Sequence, residues 1–281
     1  MKVRGERECA ECGTRWSYYE TASVECPSCG SLRSVGVDSD RRLHTDTPVE
    51  LDLTEARELV DSRPLREVAD RAGDLAREYV RKRGFVRGGD LLDLDETYLA
   101  AHELRHAADA VGRGLDLDEE EEWYFLALLG GADAEEEDEG LREGERNREE
   151  ASEDERGGEA RRASPPPSAG GSVRPAPGEV PTAMHPVRGL AYAEAVGEYR
   201  REMADWVDEA RDSDEGEPDD RAPSALETLG DHVTRVRALE GDVDPRTAES
   251  LVEAARDLSR FLRAGDEDAL ASARERFERL A

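Results

Sequence analysis

Lysine is almost missing from this sequence, which contains only Lys2 and Lys82. Nearly all of the positive charge is therefore arginine, and 69 acidic residues outnumber 39 basic ones to give a formal net charge of −30. Binding to duplex nucleic acid requires neutralisation of phosphates and weakens steeply as salt rises. The overall charge therefore argues against a protein that binds nucleic acid through its whole surface, and leaves only local patches as candidate contacts.

Long apolar runs are missing as well. The longest one, at 123–129, is far shorter than the ~20 residues that cross a bilayer. Residues 1–8 are charged and lack the apolar stretch of a secretion signal. These features predict a soluble, cytoplasmic protein with no membrane partner. All four cysteines fall between positions 9 and 29, and in a reducing cytoplasm such grouped thiols favour metal binding over disulfides.

The charge balance resembles that of cytoplasmic proteins from halophilic archaea, in which high salt screens the repulsion between carboxylates. This resemblance is compositional, so it concerns the habitat of the protein and not its function. An acidic protein of a mesophile with a long disordered segment is the alternative.

Periodicity and composition divide the chain into four parts. Residues 1–43 hold the cysteines and a short run of β-favouring residues, which predicts a small β domain. Residues 49–130 and 186–281 have apolar residues at helical spacing, so each is predicted to be a helical segment. The sequence leaves open whether these two segments pack as one bundle. The predicted fold class is thus a small β zinc ribbon followed by a mainly α body.

Residues 131–185 separate the two helical segments. They contain an acidic run at 135–139, an Arg/Glu-rich tract, three consecutive prolines at 165–167 and a Gly/Ser/Pro stretch. Such a composition buries too little apolar surface to offset the entropy of ordering, so we predict a disordered acidic and Pro-rich linker. A charged single helix over its first half is the alternative.

The cysteines form two pairs, Cys9-x-x-Cys12 and Cys26-x-x-Cys29, each followed by glycine. Two intervening residues let both sulfurs of a pair reach one ion from a tight turn, and the glycine adopts a backbone conformation that a side chain would obstruct. The 13 residues between the pairs are enough for a hairpin that brings the two turns together. We therefore predict a zinc ribbon in which all four cysteines bind one structural Zn²⁺.

Iron is the alternative metal, because four thiolates also suit a rubredoxin-like site. The turn at 26–30 resembles the small terminal domain of rubrerythrins, which also carry a di-iron bundle with two Glu-x-x-His motifs. This chain has one such motif, at 103–106, so zinc is preferred. A site closed by four protein ligands has no open position for substrate, which predicts a structural ion.

Residues 102–106, HELRH, match the H-E-x-x-H signature of zinc peptidases, in which the histidines bind zinc and the glutamate is the general base. On a helical wheel of residues 95–112, His102 and His106 lie nearly opposite the apolar face, so we expect them to face solvent. The further ligands of the metzincin signature are missing. We interpret the two histidines as surface residues; a metallopeptidase using His102, Glu103 and His106 is the alternative function.

The ribbon motif, with Trp16 and the Cys-Pro-Ser-Cys-Gly turn at 26–30, resembles the zinc ribbon of transcription factor IIB. The whole chain resembles uncharacterised zinc-ribbon proteins of halophilic archaea. The similarity to factor IIB stops at the ribbon, since no paired cyclin-like repeats follow. The resemblance implies four-cysteine metal ligation and a recognition role, in which such ribbons dock on polymerase or nucleic acid. We therefore predict a non-enzymatic recognition or adaptor protein that docks on a protein partner, with the transcription machinery as a candidate.

Two local patches remain as candidate contacts for nucleic acid, which is the weaker partner prediction. Residues 1–43 have seven basic and seven acidic residues, so the rest of the chain carries the whole net charge. A basic cluster surrounds the end of a predicted helix: Arg77, Arg81, Lys82, Arg83 and Arg87. The simpler interpretation is that these cations stabilise the helix C-terminus.

Overall fold

The structure is a computed structural model that describes residues 1–114, 117–133, 174–212 and 219–280. It is mostly helical, with small antiparallel strands near the N-terminus. None of the described helices combines the length and apolarity that a bilayer crossing requires. Most of the predicted linker lies outside the described residues. The same holds for the charged single helix that is the alternative for its first half.

The first 43 residues, which were predicted to form a ribbon and are called the ribbon below, contain a three-stranded antiparallel sheet in which β2 (Glu6–Cys9) lies between β3 (Arg15–Ser17) and β4 (Ser34–Gly36). Trp16 of β3 pairs with Arg7 of β2, and Val35 of β4 pairs with Glu8 on the other side. The run of β-favouring residues is a strand only as far as Ser17, where a helical turn begins. The elements are β1 (Lys2–Val3), β2 (Glu6–Cys9), β3 (Arg15–Ser17), α1 (Tyr18–Thr21), β4 (Ser34–Gly36) and β5 (Arg42–Leu43), and β5 pairs with β1.

The first helical segment contains two long helices packed side by side, α3 (Leu65–Lys82) and α4 (Glu96–Arg113). Asp95 caps α4 by accepting a hydrogen bond from the backbone N–H of Tyr98 at 2.7 Å, and Asp118 caps α5 through a capping box with Glu121. The elements are α2 (Thr54–Glu58), α3 (Leu65–Lys82), the hairpin of β6 (Val86–Arg87) and β7 (Asp90–Leu91), α4 (Glu96–Arg113) and α5 (Glu119–Gly131).

The second helical segment is built around its longest helix, α6, which contacts α4, α7 and α8. The elements are two 3-10 helices (Pro177–Glu179 and Thr182–Met184), α6 (His185–Asp212), α7 (Arg221–Ala238), α8 (Pro245–Ala264) and α9 (Glu267–Leu280). One apolar core contains buried residues of both segments, from Leu51 to Phe277. The two segments, whose packing the sequence left open, therefore share a core in the described chain.

Residues 174–185, which the composition assigns to the linker, are described, and they pack on the helices. The largely buried guanidinium of Arg174 donates to Glu96 of α4 at 2.6 Å and to Glu249 of α8 at 3.1 Å. Val180 and Met184 are buried. Composition alone missed this order, because the carboxylates that hold Arg174 are more than 70 residues away in the sequence.

The ribbon packs on the helical body through a short segment at 44–46. The ring of His44 is buried against Tyr18 and Tyr19, with centroid distances of 5.7 Å and 5.1 Å. The carboxylate of Asp46, 1% exposed, accepts hydrogen bonds from Arg83 at 2.5 Å and from Arg87 at 2.8 Å. Two buried polar side chains thus fix the ribbon to the end of α3 and to the β6–β7 hairpin.

Candidate metal centre

The four cysteines predicted as ligands come together at one end of the ribbon. The Sγ atoms of Cys9 and Cys29 are 3.6 Å apart, as are those of Cys12 and Cys26, and all four lie within 4.8 Å of one another. A tetrahedron with metal–sulfur bonds of ~2.3 Å has edges of ~3.8 Å. The cluster can therefore hold a metal ion with little movement of its side chains.

Two similar turns position the sulfurs. The N–H of Gly13 donates to the carbonyl of Cys9 at 3.0 Å, and the N–H of Gly30 donates to the carbonyl of Cys26 at 2.9 Å. Both glycines have positive φ, 74° and 71°, a region that residues with a side chain rarely adopt. The glycine after each pair, noticed in the sequence, thus closes each turn.

The thiols of the cluster have pKa values shifted in opposite directions. The hydroxyl of Thr14 is the main cause that lowers the pKa of Cys12 to about 6. At Cys29, a backbone hydrogen bond from Ser31 lowers the pKa, but hydrogen bonds with Cys12 and Cys9 outweigh it and raise the pKa to about 12. Cys12 therefore loses its proton easily, whereas Cys29, which is hydrogen-bonded to Cys12, loses its proton with difficulty. A metal ion removes this conflict, because each thiolate then faces a cation.

The ribbon has almost no apolar core of its own. Its buried cluster consists of Cys9, Trp16 and Cys26, and the indole N–H of Trp16 donates to the carbonyl of Ser23 at 3.0 Å. Domains this small cannot usually bury enough apolar surface to fold without a metal, a disulfide or a partner. A metal ion bound by the four cysteines would thus also supply the stability that this small domain lacks.

The prediction that the HELRH histidines face solvent is wrong for His102 and only partly right for His106. His102 and Glu103 are fully buried, and His106 is partly buried. The helical wheel assigned a single buried face to α4. In the fold, α4 packs against α3 on one side and against α6 on another, so its polar face is a second interface.

Glu103 is engaged in a buried polar network. Its carboxylate accepts hydrogen bonds from Arg188 at 2.7 Å, from Tyr192 at 2.9 Å and from Tyr124. Neither Glu103 nor Arg188 is exposed to solvent. A general base needs a water molecule within hydrogen-bond reach and a free lone pair to take its proton. The carboxylate of Glu103 is closed to bulk solvent, and three of its about four lone-pair positions already accept hydrogen bonds.

His102 and His106 face helix α6 instead of solvent. Nε2 of His106 lies 3.1 Å from the carboxylate of Glu194, and Nε2 of His102 lies 3.4 Å from that of Glu198. Burial lowers the pKa of His102, so its ring is neutral at neutral pH. Nothing in the sequence pointed to these carboxylates, which are about 90 residues further along the chain.

The basic cluster at the end of α3 is largely neutralised. Arg83 and Arg87 pair with Asp46, and Arg77 pairs with Asp74 and Asp109. Lys82 pairs with Glu78. Because most of these cations already contact carboxylates, few charges are left to contact phosphates.

Comparison with protein-family models gives one match, to the family of unknown function DUF7117, over residues 1–157 and 167–277. A search of curated proteins and a search of solved structures each returned no match. The matched regions include the ribbon and nearly all of the described helices. The chain therefore belongs to the family of unknown function DUF7117.

Proposed function

We propose that this protein is a non-enzymatic recognition or adaptor protein that docks on a protein partner through its four-cysteine ribbon, with Zn²⁺ as the structural ion. One observation carries the proposal. Of the six exposed large apolar side chains in the described residues, five lie in the ribbon and only Leu239 lies elsewhere. The five are Met1, Val24, Leu32, Val35 and Val37.

Four of these side chains belong to the second half of the ribbon, and Val35 and Val37 lie in β4 or directly after it. Val35 is 57% exposed and Leu32 is 70% exposed. Val35 pairs with Glu8, and side chains alternate along a strand, so Val35 lies on the opposite face of the sheet from Cys9. The face of the sheet that carries Cys9 is thus turned to the metal-binding cluster, and the other face presents Val35 to solvent beside the Glu8–Arg15 ion pair. Large exposed apolar patches mark contact sites for other proteins, and the concentration of such side chains in the ribbon supports one here.

The chemistry of this surface favours protein over nucleic acid. It carries exposed apolar side chains, the ribbon has no net charge, and the remainder of the chain repels polyanions. The resemblance to the ribbon of transcription factor IIB supports a partner in the transcription machinery. Four thiolate ligands leave no open coordination position, which supports a structural and not a catalytic ion. Zinc is favoured over iron because a second metal site of the rubrerythrin type has no counterpart in the sequence.

The metallopeptidase alternative loses support from the position of Glu103. The motif assigns proton abstraction to this residue, whereas its carboxylate is buried and accepts hydrogen bonds from three donors. A peptidase activity that is present in the wild type and absent from Glu103→Gln would restore that alternative.

The proposal is tested by affinity purification from cells at their native salt concentration. We expect a partner that binds the wild type and Leu239→Glu, and that is lost from Cys26→Ser, Leu32→Glu and Val35→Glu. Leu239→Glu is the matched control, because it adds the same charge at an exposed leucine outside the ribbon. Identical partners for all five proteins would show that the ribbon is not the docking element.

A further inference from the structure

The contact between α4 and α6 contains a cluster of histidines and carboxylates that the proposed function does not use. His102 and His106 are four residues apart on α4, and Glu194 and Glu198 are four residues apart on α6, so each pair lies on one helix face. The oxygen of Glu194 that is 3.1 Å from His106 Nε2 lies 4.0 Å from Nδ1 of His102. Two imidazoles and a carboxylate thus converge from two helices.

A cation already occupies the point of convergence. The terminal nitrogen of Arg105 lies 3.4 Å from Nδ1 of His102 and 3.2 Å from Nε2 of His106, and it donates to Glu194. Two histidine nitrogens and one carboxylate oxygen are the protein donors of many zinc sites that keep an open fourth position. The Arg105 side chain is 19% exposed, so it can move out to solvent without crossing the core.

The second nitrogen of His102 is a separate indication of a ligand. Nε2 is buried without a well-oriented hydrogen-bond partner, 3.4 Å from the Glu198 carboxylate that also accepts the hydroxyl of Tyr98 at 2.5 Å. A histidine that binds a metal through one nitrogen commonly donates its other N–H to a carboxylate, which fixes the ring and raises its basicity. His102 and Glu198 are placed for this arrangement.

The charges of the cluster also favour a divalent ion. The carboxylate of Glu194 faces His106 and Arg105, and that of Glu198 faces His102 and, at 3.9 Å, Arg201. A divalent ion brings two positive charges to Glu194, where the Arg105 side chain brings one.

We propose that His102, His106 and Glu194 form a second metal site, for a divalent transition metal such as Zn²⁺, which the ion enters by displacing the Arg105 side chain. Glu198 accepts the N–H of His102 Nε2 in this site and thereby fixes the orientation of the His102 ring. The site binds metal without hydrolytic chemistry, because Glu103 points into the network of Arg188. Its affinity is lower than that of the ribbon, since the cysteines are the one set of donors in the described chain that already lie within 4.8 Å of one another.

The test is equilibrium dialysis of the full-length protein against Zn²⁺, with the ribbon ion already in place. We expect a second ion per chain in the wild type, bound more tightly by Arg105→Ala because the competing cation is gone. Glu198→Gln should weaken the second ion by about 10–100-fold. Glu194→Gln should abolish it. Arg77→Ala is the matched control: it removes an arginine from the carboxylates Asp74 and Asp109, neither of which is a proposed ligand.

Circular dichroism verifies that each variant is folded, and X-ray absorption of zinc in the second site should show nitrogen and oxygen ligands without sulfur. A single ion in both the wild type and Arg105→Ala would overturn the proposal. A second ion that appears only in Arg105→Ala would also overturn it, since Arg105 would then exclude metal from the natural protein. The same follows if Glu194→Gln retains the second ion.

Discussion

The ribbon and the helical body differ in the buried residues that stabilise them. The body buries apolar residues of both helical segments in one core and adds a buried ion pair between Glu103 and Arg188. The ribbon buries three side chains, two of them cysteines, and leaves several large apolar side chains in solvent. In the function that we propose, metal binding replaces a core in the ribbon. The exposed apolar residues of the ribbon then do not serve folding and contact the partner.

Removing the metal should have the largest effect on stability. It should unfold the ribbon and leave the helical body folded. Structural zinc contributes about 10–16 kcal/mol to the folding of small zinc domains. We expect chelation to abolish amide protection in β2, β3 and β4 while α3, α4 and α6 stay protected, as measured by hydrogen exchange with mass spectrometry. Protected ribbon amides in the metal-free protein would contradict this account of its stability.

The next largest effect is expected from the buried ion pair in the body. Glu103→Leu leaves the fully buried Arg188 without its main counter-charge, and breaking such a pair costs about 3–5 kcal/mol. The double variant with Arg188→Met should recover most of this loss, because both charges are then absent. Urea unfolding of the two variants measures the difference. Equal stability of the single and the double variant would show that the pair is not coupled.

The junction between the two regions should depend on pH through Asp46. Burial raises the pKa of Asp46, but the hydrogen bonds and charges of Arg87 and Arg83 outweigh it and hold the pKa below its ordinary value. The folded state therefore binds this proton less readily than the unfolded state. The stabilisation is fully present above the ordinary aspartate pKa of ~3.9 and is lost as the pH falls below it.

Asp46→Asn should accordingly destabilise the protein by about 1.5–3 kcal/mol at pH 7, the usual contribution of hydrogen bonds to a charged group. The difference from the wild type should shrink below pH ~4, where Asp46 of the unfolded state takes up a proton that the folded state binds only at lower pH. Urea unfolding at pH 7 and pH 3 measures it. A difference that stays constant over this range would exclude the ionised carboxylate as the cause.

The smallest effect on stability is expected on the outer face of the ribbon. Val35→Thr should change the free energy of unfolding by less than about 0.5 kcal/mol, because the side chain is largely exposed. The same change at the fully buried Val68 places a hydroxyl in the core and should cost about 1–3 kcal/mol. A large loss of stability in Val35→Thr would mean that this face contributes to folding, and would weaken the docking proposal.

Local sequence patterns allowed the cysteine cluster and most of the helices to be predicted. The spacing of Cys9, Cys12, Cys26 and Cys29 reports contacts within turns, and the structure brings these four sulfurs together. The helical periodicity likewise located most of the helices. The surroundings of HELRH could not be predicted in this way, because a helical wheel shows one apolar face and α4 contacts two neighbours. Arg188, which neutralises Glu103, lies 85 residues away, and no periodic pattern connects them.

The most direct test of the account is the metal content per chain after dialysis against a weak chelator, which removes loosely bound ions. We expect one zinc ion in the wild type, one in His106→Ala and none in Cys26→Ser. That result would place the tightly bound ion in the ribbon and make metal binding a condition for its folding. An ion that is retained by Cys26→Ser and lost from His106→Ala would contradict the account, because HELRH would then be the principal metal site.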